Sequence, residues 1–360
     1  MDYSIVGQHE EEGVAWFGTG LRQVLDDNGH SFVPDPDQAS LVINFVDPSN
    51  PRPFRRKAQA VFVVSVTEVD PPFGGPMEKG YPLLVRSLCN LLIGLVKEGA
   101  HFPHAHFVTP EQGHYVVPGD NGTDAYFRAV YERIRPLATS RLVLNNIYHT
   151  DLPEDLWGGD AITDSIARAG KKLDELNLLP TPFPMEKYLT ERDQRHLKLL
   201  YGIGGLSYGN LSARLDETRF WMSASGVDKS NLKEIGRDIL LVKDYDAEKN
   251  AMVLSVPPDV EPRRVSVDAI EHWMIYREHP EVGAILHVHA WMDGAPSTEF
   301  NYPCGTFELG IAVADIVRES PVPMEAVVGL NNHGLTIVGR SMDDIFERVE
   351  GELYQPVPMS

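Results

Sequence analysis

Two runs with almost no polar interruption stand out early in the chain, Leu41-Val42-Ile43-Asn44-Phe45-Val46 and Ala60-Val61-Phe62-Val63-Val64-Ser65-Val66. Short β-branched runs of this kind read as strands buried on both faces, where alternation with polar residues is lost. Residues 13–27, 80–99 and 123–137 carry helical spacing, with Thr123 or Asn121 as a cap for the last. Strands interleaved with helices predict an open α/β sheet for the first ~150 residues. Pro48, Pro51 and Pro53 mark a loop between the two strands, and Arg55, Arg56 and Lys57 after it read as a solvated charge cluster. A helix over 161–177 and the stretch Leu179-Pro180-Thr181-Pro182-Phe183-Pro184 form a boundary, because proline disfavours a continuing helix. Beyond it the pattern predicts a helix near 186–201 ended by Gly202, Gly204 and Gly205. A helix near 267–278, a strand at 282–288 and a strand pair near 326–338 follow. The expected organisation is an α/β domain over 1–150, connecting structure over 151–184 and a second domain over 185–360.

Composition narrows the function. Of 360 residues, 42% are hydrophobic and 23% charged, enough apolar surface for full cores. No 20–50 residue repeat is visible, which argues against a solenoid. Against 32 Lys and Arg stand 52 Asp and Glu, a net charge of −20. Such a surface repels phosphate backbones and anionic lipid, so neither nucleic acid nor a membrane is expected as partner. The run Leu91–Val96 is far shorter than the ~20 residues of a membrane helix. Glu10-Glu11-Glu12 stands where a signal peptide would need basic, then apolar residues. With only Cys89 and Cys304, no disulfide framework is expected, and a cytoplasmic location is the reading that follows.

The sharpest chemical feature is His287-Val288-His289. On a strand, side chains two apart share a face, so these imidazoles stand about 7 Å apart and can converge on one metal ion. Taken alone, the pair equally fits hydrogen-bonded core histidines. A third ligand is available in His333, where Gly334 permits a tight turn. Three histidines with an open position form the pattern of a catalytic zinc site. Gly209-Asn210-Leu211-Ser212-Ala213-Arg214 and Ser223-Ala224-Ser225-Gly226 read as short polar turns suited to an anion, with Lys229 just beyond. Ser266-Val267-Asp268 lies at a helix start, with Ser266 or Asp268 near the N-cap, and Glu271 one turn on. A second cluster, His101, His104 and His106 with His114 nearby, is interrupted by Pro103 and reads as a loop or strand-edge cluster.

In this order and spacing, GNLSAR, SASG, the helix with Asp268 and Tyr276, HVHA and NHG resemble the class II aldolase/adducin family over residues 185–350, about half the chain. The resemblance implies a three-layer α/β/α domain with a mainly antiparallel sheet, usually a homotetramer. It implies a small-molecule substrate and a divalent ion, Zn2+ first and Mn2+, Co2+ or Fe2+ otherwise, on His287, His289 and His333. Asn210, Ser225, Gly226 and Ser266 fall at the substrate-phosphate positions. Two departures stand out: Val267 replaces a phosphate-binding serine, and Asp268 replaces a catalytic glutamate nineteen residues before His287. A carboxylate set back by about 1.5 Å matters, since ~1 Å can cost ~100-fold. The expected function is metal-dependent C–C bond cleavage through an enediolate, on a hydroxy-carbonyl or sugar-phosphate substrate. Asp268 is the proton-transferring group and Glu271 its alternate. Epimerisation, dehydration or decarboxylation are alternatives on the same apparatus, and a non-catalytic adducin-like assembly module is a third reading. Nothing recognised covers residues 1–150.

Overall fold

The computed structural model describes all residues except 8–11, 58–59, 72–74, 98, 100–101, 112, 120–121, 180–184, 202–207 and 360. Contacts divide the chain into one unit of Met1–Thr139, Pro184–Tyr201 and Met359–Ser360, and a second of Ser140–Phe183 and Gly202–Pro358.

The first unit is built on strands β1 (Asp2–Gly7), β2 (Ser31–Phe32), β3 (Leu41–Phe45), β4 (Phe62–Glu68) and β5 (Leu91–Val96). These run parallel in the order β2-β1-β3-β4-β5. Antiparallel β6 (His104–Val108) and β7 (His114–Val117) extend the sheet beyond β5. Helices α1 (Glu12–Asp27), α2 (Pro76–Ser87) and α3 (Thr123–Thr139) belong to this unit. The chain then visits the second unit as β8 (Asn145–His149) and α4 (Ala161–Glu175), before α5 (Met185–Tyr188) and α6 (Glu191–Tyr201) return to the first.

Three expectations change here. The helix expected over 80–99 stops at Ser87, Leu88 turns left-handed at φ 51°, and all six residues of β5 are buried. A continuous apolar run presents no polar face, so its period cannot separate a buried strand from a helix. The helix expected over 186–201 breaks in two, because Thr190 and Asp193 exchange side-chain-to-backbone hydrogen bonds that start α6 afresh. Arg56 is not a solvated charge; its Nη2 donates to Leu88 O at 2.6 Å and Asn90 Oδ1 at 2.9 Å. The expected boundaries at 150 and 184 also differ from these units. β8 pairs with a strand a hundred residues later, and α6 is tied to α2 by Arg86, whose Nε and Nη2 each donate to the Asp193 carboxylate at 2.7 Å. His106 Nδ1 lies 3.1 Å from His114 Nε2 across β6 and β7, while His101 and Asn121 lie outside the described residues.

The second unit adds β9 (Asn210–Arg214), β10 (Phe220–Ser223), β11 (Ile239–Asp246), β12 (Ala251–Ser255) and α7 (Ala269–Glu278). After them come β13 (Ala284–Val288), α8 (Phe307–Glu319), β14 (Val327–Leu330), β15 (Gly334–Gly339) and α9 (Met342–Val349). Its sheet runs β14-β15-β13-β9-β10-β11-β12-β8, antiparallel except for the β12–β8 pair. Alternation along the strands separates the layers. Ser212 and Phe220 meet His272 and Tyr276 of α7 on one face, while Trp221 on the other donates its indole N–H to Asp160, the N-cap of α4. Helices on both faces make the three-layer α/β/α arrangement, and its core runs from Ile166 of α4 through Trp221 and Leu286 to Val313 of α8. Among the described residues, no helix is long and apolar enough to cross a membrane.

Candidate metal centre

The site forms where β13 ends between β9 and β15. His287 lies within β13, opposite Asn210 on one side and Thr336 on the other. His289 follows the strand, and His333 sits in the turn joining β14 to β15. The turn itself is made by Asn332, at φ 57°. Gly334 serves a different purpose from the one its sequence context implies: a Cβ there would lie 2.3 Å from Val288 O, so its absence lets β15 close against β13 and brings His333 to the pair.

The three imidazoles converge. Ring centroids lie 5.1 Å apart for His287 and His289, 4.8 Å for His287 and His333, and 4.7 Å for His289 and His333. One ring nitrogen from each lies within 4.8 Å of the others, and the Nε2 atoms of His289 and His333 are 3.2 Å apart. His287 Nδ1 lies 3.0 Å from Leu335 O, an arrangement that assigns the proton to Nδ1 and turns Nε2 toward the centre. That Nε2 is buried and has no hydrogen-bond partner among the described residues. Burial lowers all three imidazole pKa values, those of His289 and His333 well below the usual 6.5, so they are held neutral. Neutral, converging rings with an orphaned nitrogen fit a divalent cation.

Around this triad stand two carboxyl groups with different surroundings. Asp268 occupies the N-cap of α7 but makes no capping bond. Its Oδ2 accepts from Asn210 Nδ2 at 2.7 Å and its Oδ1 from Gly305 N–H at 3.2 Å, so the side chain is turned toward β9, which pairs with the strand carrying His287. Glu271, 2% exposed, accepts from Thr336 Oγ1 at 2.5 Å. Burial, then the neighbouring Asp268, pushes its carboxyl up to about 8, which keeps it protonated at neutral pH. Lys229 is also buried; burial brings its amine down to about 8, opposed by Asp268 and Asp228.

The expected anion residues fall into two groups. Asn210 is not in a turn: it opens β9, and it spends its amide on Asp268. Ser225 and Gly226 do form a turn, with Gly226 at φ 70°. Ser225 N–H donates to Arg264 O and Ser266 N–H to Ser223 O, at 2.9 and 3.2 Å, which locks the Ser225 turn beside Ser266. Sequence reasoning missed Thr336 as the partner of Glu271, and Cys304, whose Sγ lies 3.4 Å from His333 Nε2. Neither carries a local signal, because each contact joins residues far apart in sequence.

The site is thus a histidine triad at one strand end of a mainly antiparallel α/β/α sheet. Residues 195–297 match the family model described as the Class II Aldolase and Adducin N-terminal domain, and that stretch of the chain is a domain of this family. The chain is 37% identical over 81 residues to methylthioribulose-1-phosphate dehydratase of Xanthomonas campestris pv. campestris (strain B100), covering 22% of this chain and 32% of that protein. It is 27% identical over 144 residues to the protein of the same name in Stenotrophomonas maltophilia (strain K279a), covering 39% and 61%. The chain thus spans less than two thirds of these relatives. Among solved structures, L-fuculose 1-phosphate aldolase shares 18% identity at a TM-score of 0.37, covering 53% of this chain and 81% of that one.

Proposed function

We propose that this protein is a metal-dependent carbon–carbon lyase acting on a small hydroxy-carbonyl or sugar-phosphate substrate. The observation that carries the reading is the convergence of the ring nitrogens of His287, His289 and His333, within 4.8 Å of one another, beside a carboxylate held by Asn210. These three histidines would hold one divalent ion, Zn2+ first. When bound, such an ion supplies positive charge that polarises a carbonyl and stabilises the anion formed beside it. Asp268 accepts the proton of the substrate hydroxyl as the C–C bond breaks, and the released electron pair becomes the enediolate. Asn210 and Gly305 N–H orient the base. Ser225, Gly226 and Ser266 hold the phosphate, and the buried Lys229 contributes positive charge.

Dehydration is a second reading, favoured by Glu271. A carboxyl kept protonated at neutral pH can deliver a proton to a departing hydroxyl, so that water leaves after a base has taken the proton from the adjacent carbon. The discriminating experiment incubates Zn2+-, Mn2+- or Co2+-loaded protein with a panel of sugar phosphates and hydroxy-ketones. Aldehyde release marks cleavage, and loss of water by mass marks dehydration. No turnover with any metal, together with unchanged metal content in His287→Ala and His333→Ala, would overturn the proposal.

A further inference from the structure

The first unit carries a crevice of its own, about 1220 Å³ in volume, at the carboxyl ends of β1, β3 and β4. In the order β2-β1-β3-β4-β5 the chain leaves β1 toward β2 on one side and passes from β3 to β4 on the other. Connections that part in this way open a crevice beyond the strand ends, where open parallel sheets bind ligands. Gly7 closes β1 at φ 90°, and a Cβ there would lie 2.0 Å from Phe45 O, so the floor between β1 and β3 is bare backbone. The connection from β3 to β4 contains no helix among its described residues; Asn44 Nδ2 donates to Arg52 O at 3.0 Å and pins the proline-rich loop over the strand ends.

The lining selects the ligand. Glu68 and Asp70 project at the exposed end of β4, while Val14 and Val46 supply a buried apolar wall. Among the described residues, the crevice holds the carboxylates of Asp47, Glu68 and Asp70 against the cations of Arg52 and Lys79, one excess negative charge. Asp47 is engaged with Ser49, whose N–H and Oγ donate to Oδ1 at 2.8 and 2.7 Å. The N-terminus of α1, elsewhere a favourable place for phosphate, begins with Glu12, and a Cβ on Gly13 would lie 3.8 Å from Glu68 Oε2. Carboxylates therefore stand near that helix end, and a phosphate there would meet like charge. What suits the crevice is an uncharged molecule with vicinal hydroxyls for Glu68 and Asp70 and a flat apolar group for the valine wall.

We propose that this crevice is a second ligand site, separate from the histidine triad, for a nucleoside-class molecule without phosphate. The test titrates adenosine and uridine into the full-length protein, followed by saturation-transfer NMR and calorimetry. At least one nucleoside should bind, and AMP or UMP should bind more weakly than its parent nucleoside. Glu68→Gln and Asp70→Asn, both on exposed carboxylates, should each weaken binding by about tenfold, the scale of one hydrogen bond to a charged group. His287→Ala should leave it unchanged. The proposal is overturned if neither nucleoside binds at about 10 mM, a range weaker than ordinary recognition. It is also overturned if the nucleotide binds more tightly, if both carboxylate variants bind normally, or if His287→Ala abolishes binding.

Discussion

Glu271→Gln separates a buried acid from an ordinary carboxylate by its effect on stability. Glu271 is 2% exposed, one helical turn from Asp268, and burial is the larger of the two effects that raise its pKa from the ordinary 4.5 to about 8. In the unfolded chain the proton leaves near the ordinary value, while in the folded protein it stays. Stability is therefore fully present below the unfolded pKa and is lost as pH rises toward the folded one, at about 1.4 kcal/mol per pH unit. Between pH 5 and pH 7 the parent should lose about 2–3 kcal/mol from this group alone. Glutamine keeps the oxygen that accepts from Thr336 but carries no titrating proton, so the variant escapes the loss. Its stability relative to the parent should rise by that amount from pH 5 to pH 7. Urea unfolding of EDTA-treated protein measures this, with no bound cation offsetting the carboxyl groups. Tryptophan fluorescence follows the transition, since four of the five tryptophans lie in the second unit. A stability difference constant from pH 5 to pH 8 would refute the reasoning, because Glu271 would then titrate as an exposed carboxylate does.

Elemental analysis should find about one divalent ion per chain in the parent and loss of most of it in His287→Ala and His333→Ala with the fold intact, since three ligands with an open position form a complete protein contribution. Asp268→Asn should lose about 100–10,000-fold in kcat with metal content unchanged, whereas near-normal turnover beside a collapse in Glu271→Gln would move the proton transfer to Glu271. Protection of the protein by sugar phosphates against heating should weaken in Ser225→Ala; equal protection would remove that turn from the anion site. In the first unit, Arg86→Ala strands the 1% exposed Asp193 carboxylate and should cost about 3 kcal/mol, measured by denaturant titration. Burial opposes ionisation of Asp193, yet bonds from Arg86 and Thr190 bring its pKa down to about 2. That stabilisation is present above the ordinary value and lost as pH falls, so the parent should resist acid further than Arg86→Ala.

Residues whose meaning lies in local spacing were legible before any coordinates. His287 and His289 share a strand face by period alone, the β-branched content of the short β3 and β4 runs favours strands, and Asp268 stands at a helix start whatever the rest of the chain does. The third histidine was legible as a candidate, but the reason for its glycine was not: Gly334 meets a carbonyl of a strand more than forty residues earlier. The apolar run of β5 needed its neighbours on both sides before it could be told from a helix, because a fully buried element carries no period. Placement of β8 on the far sheet, of α6 beside α2, and of Thr336 against Glu271 all came from pairings between distant residues. Electrostatic character followed the same division. Two carboxyl groups three residues apart look alike in sequence, and only the packed structure, which leaves Asp268 to Asn210 and Gly305 and sinks Glu271 against Thr336, sets Glu271 apart as a buried, protonated acid. Desolvation depends on everything that surrounds a group, and that is assembled only when the chain is folded.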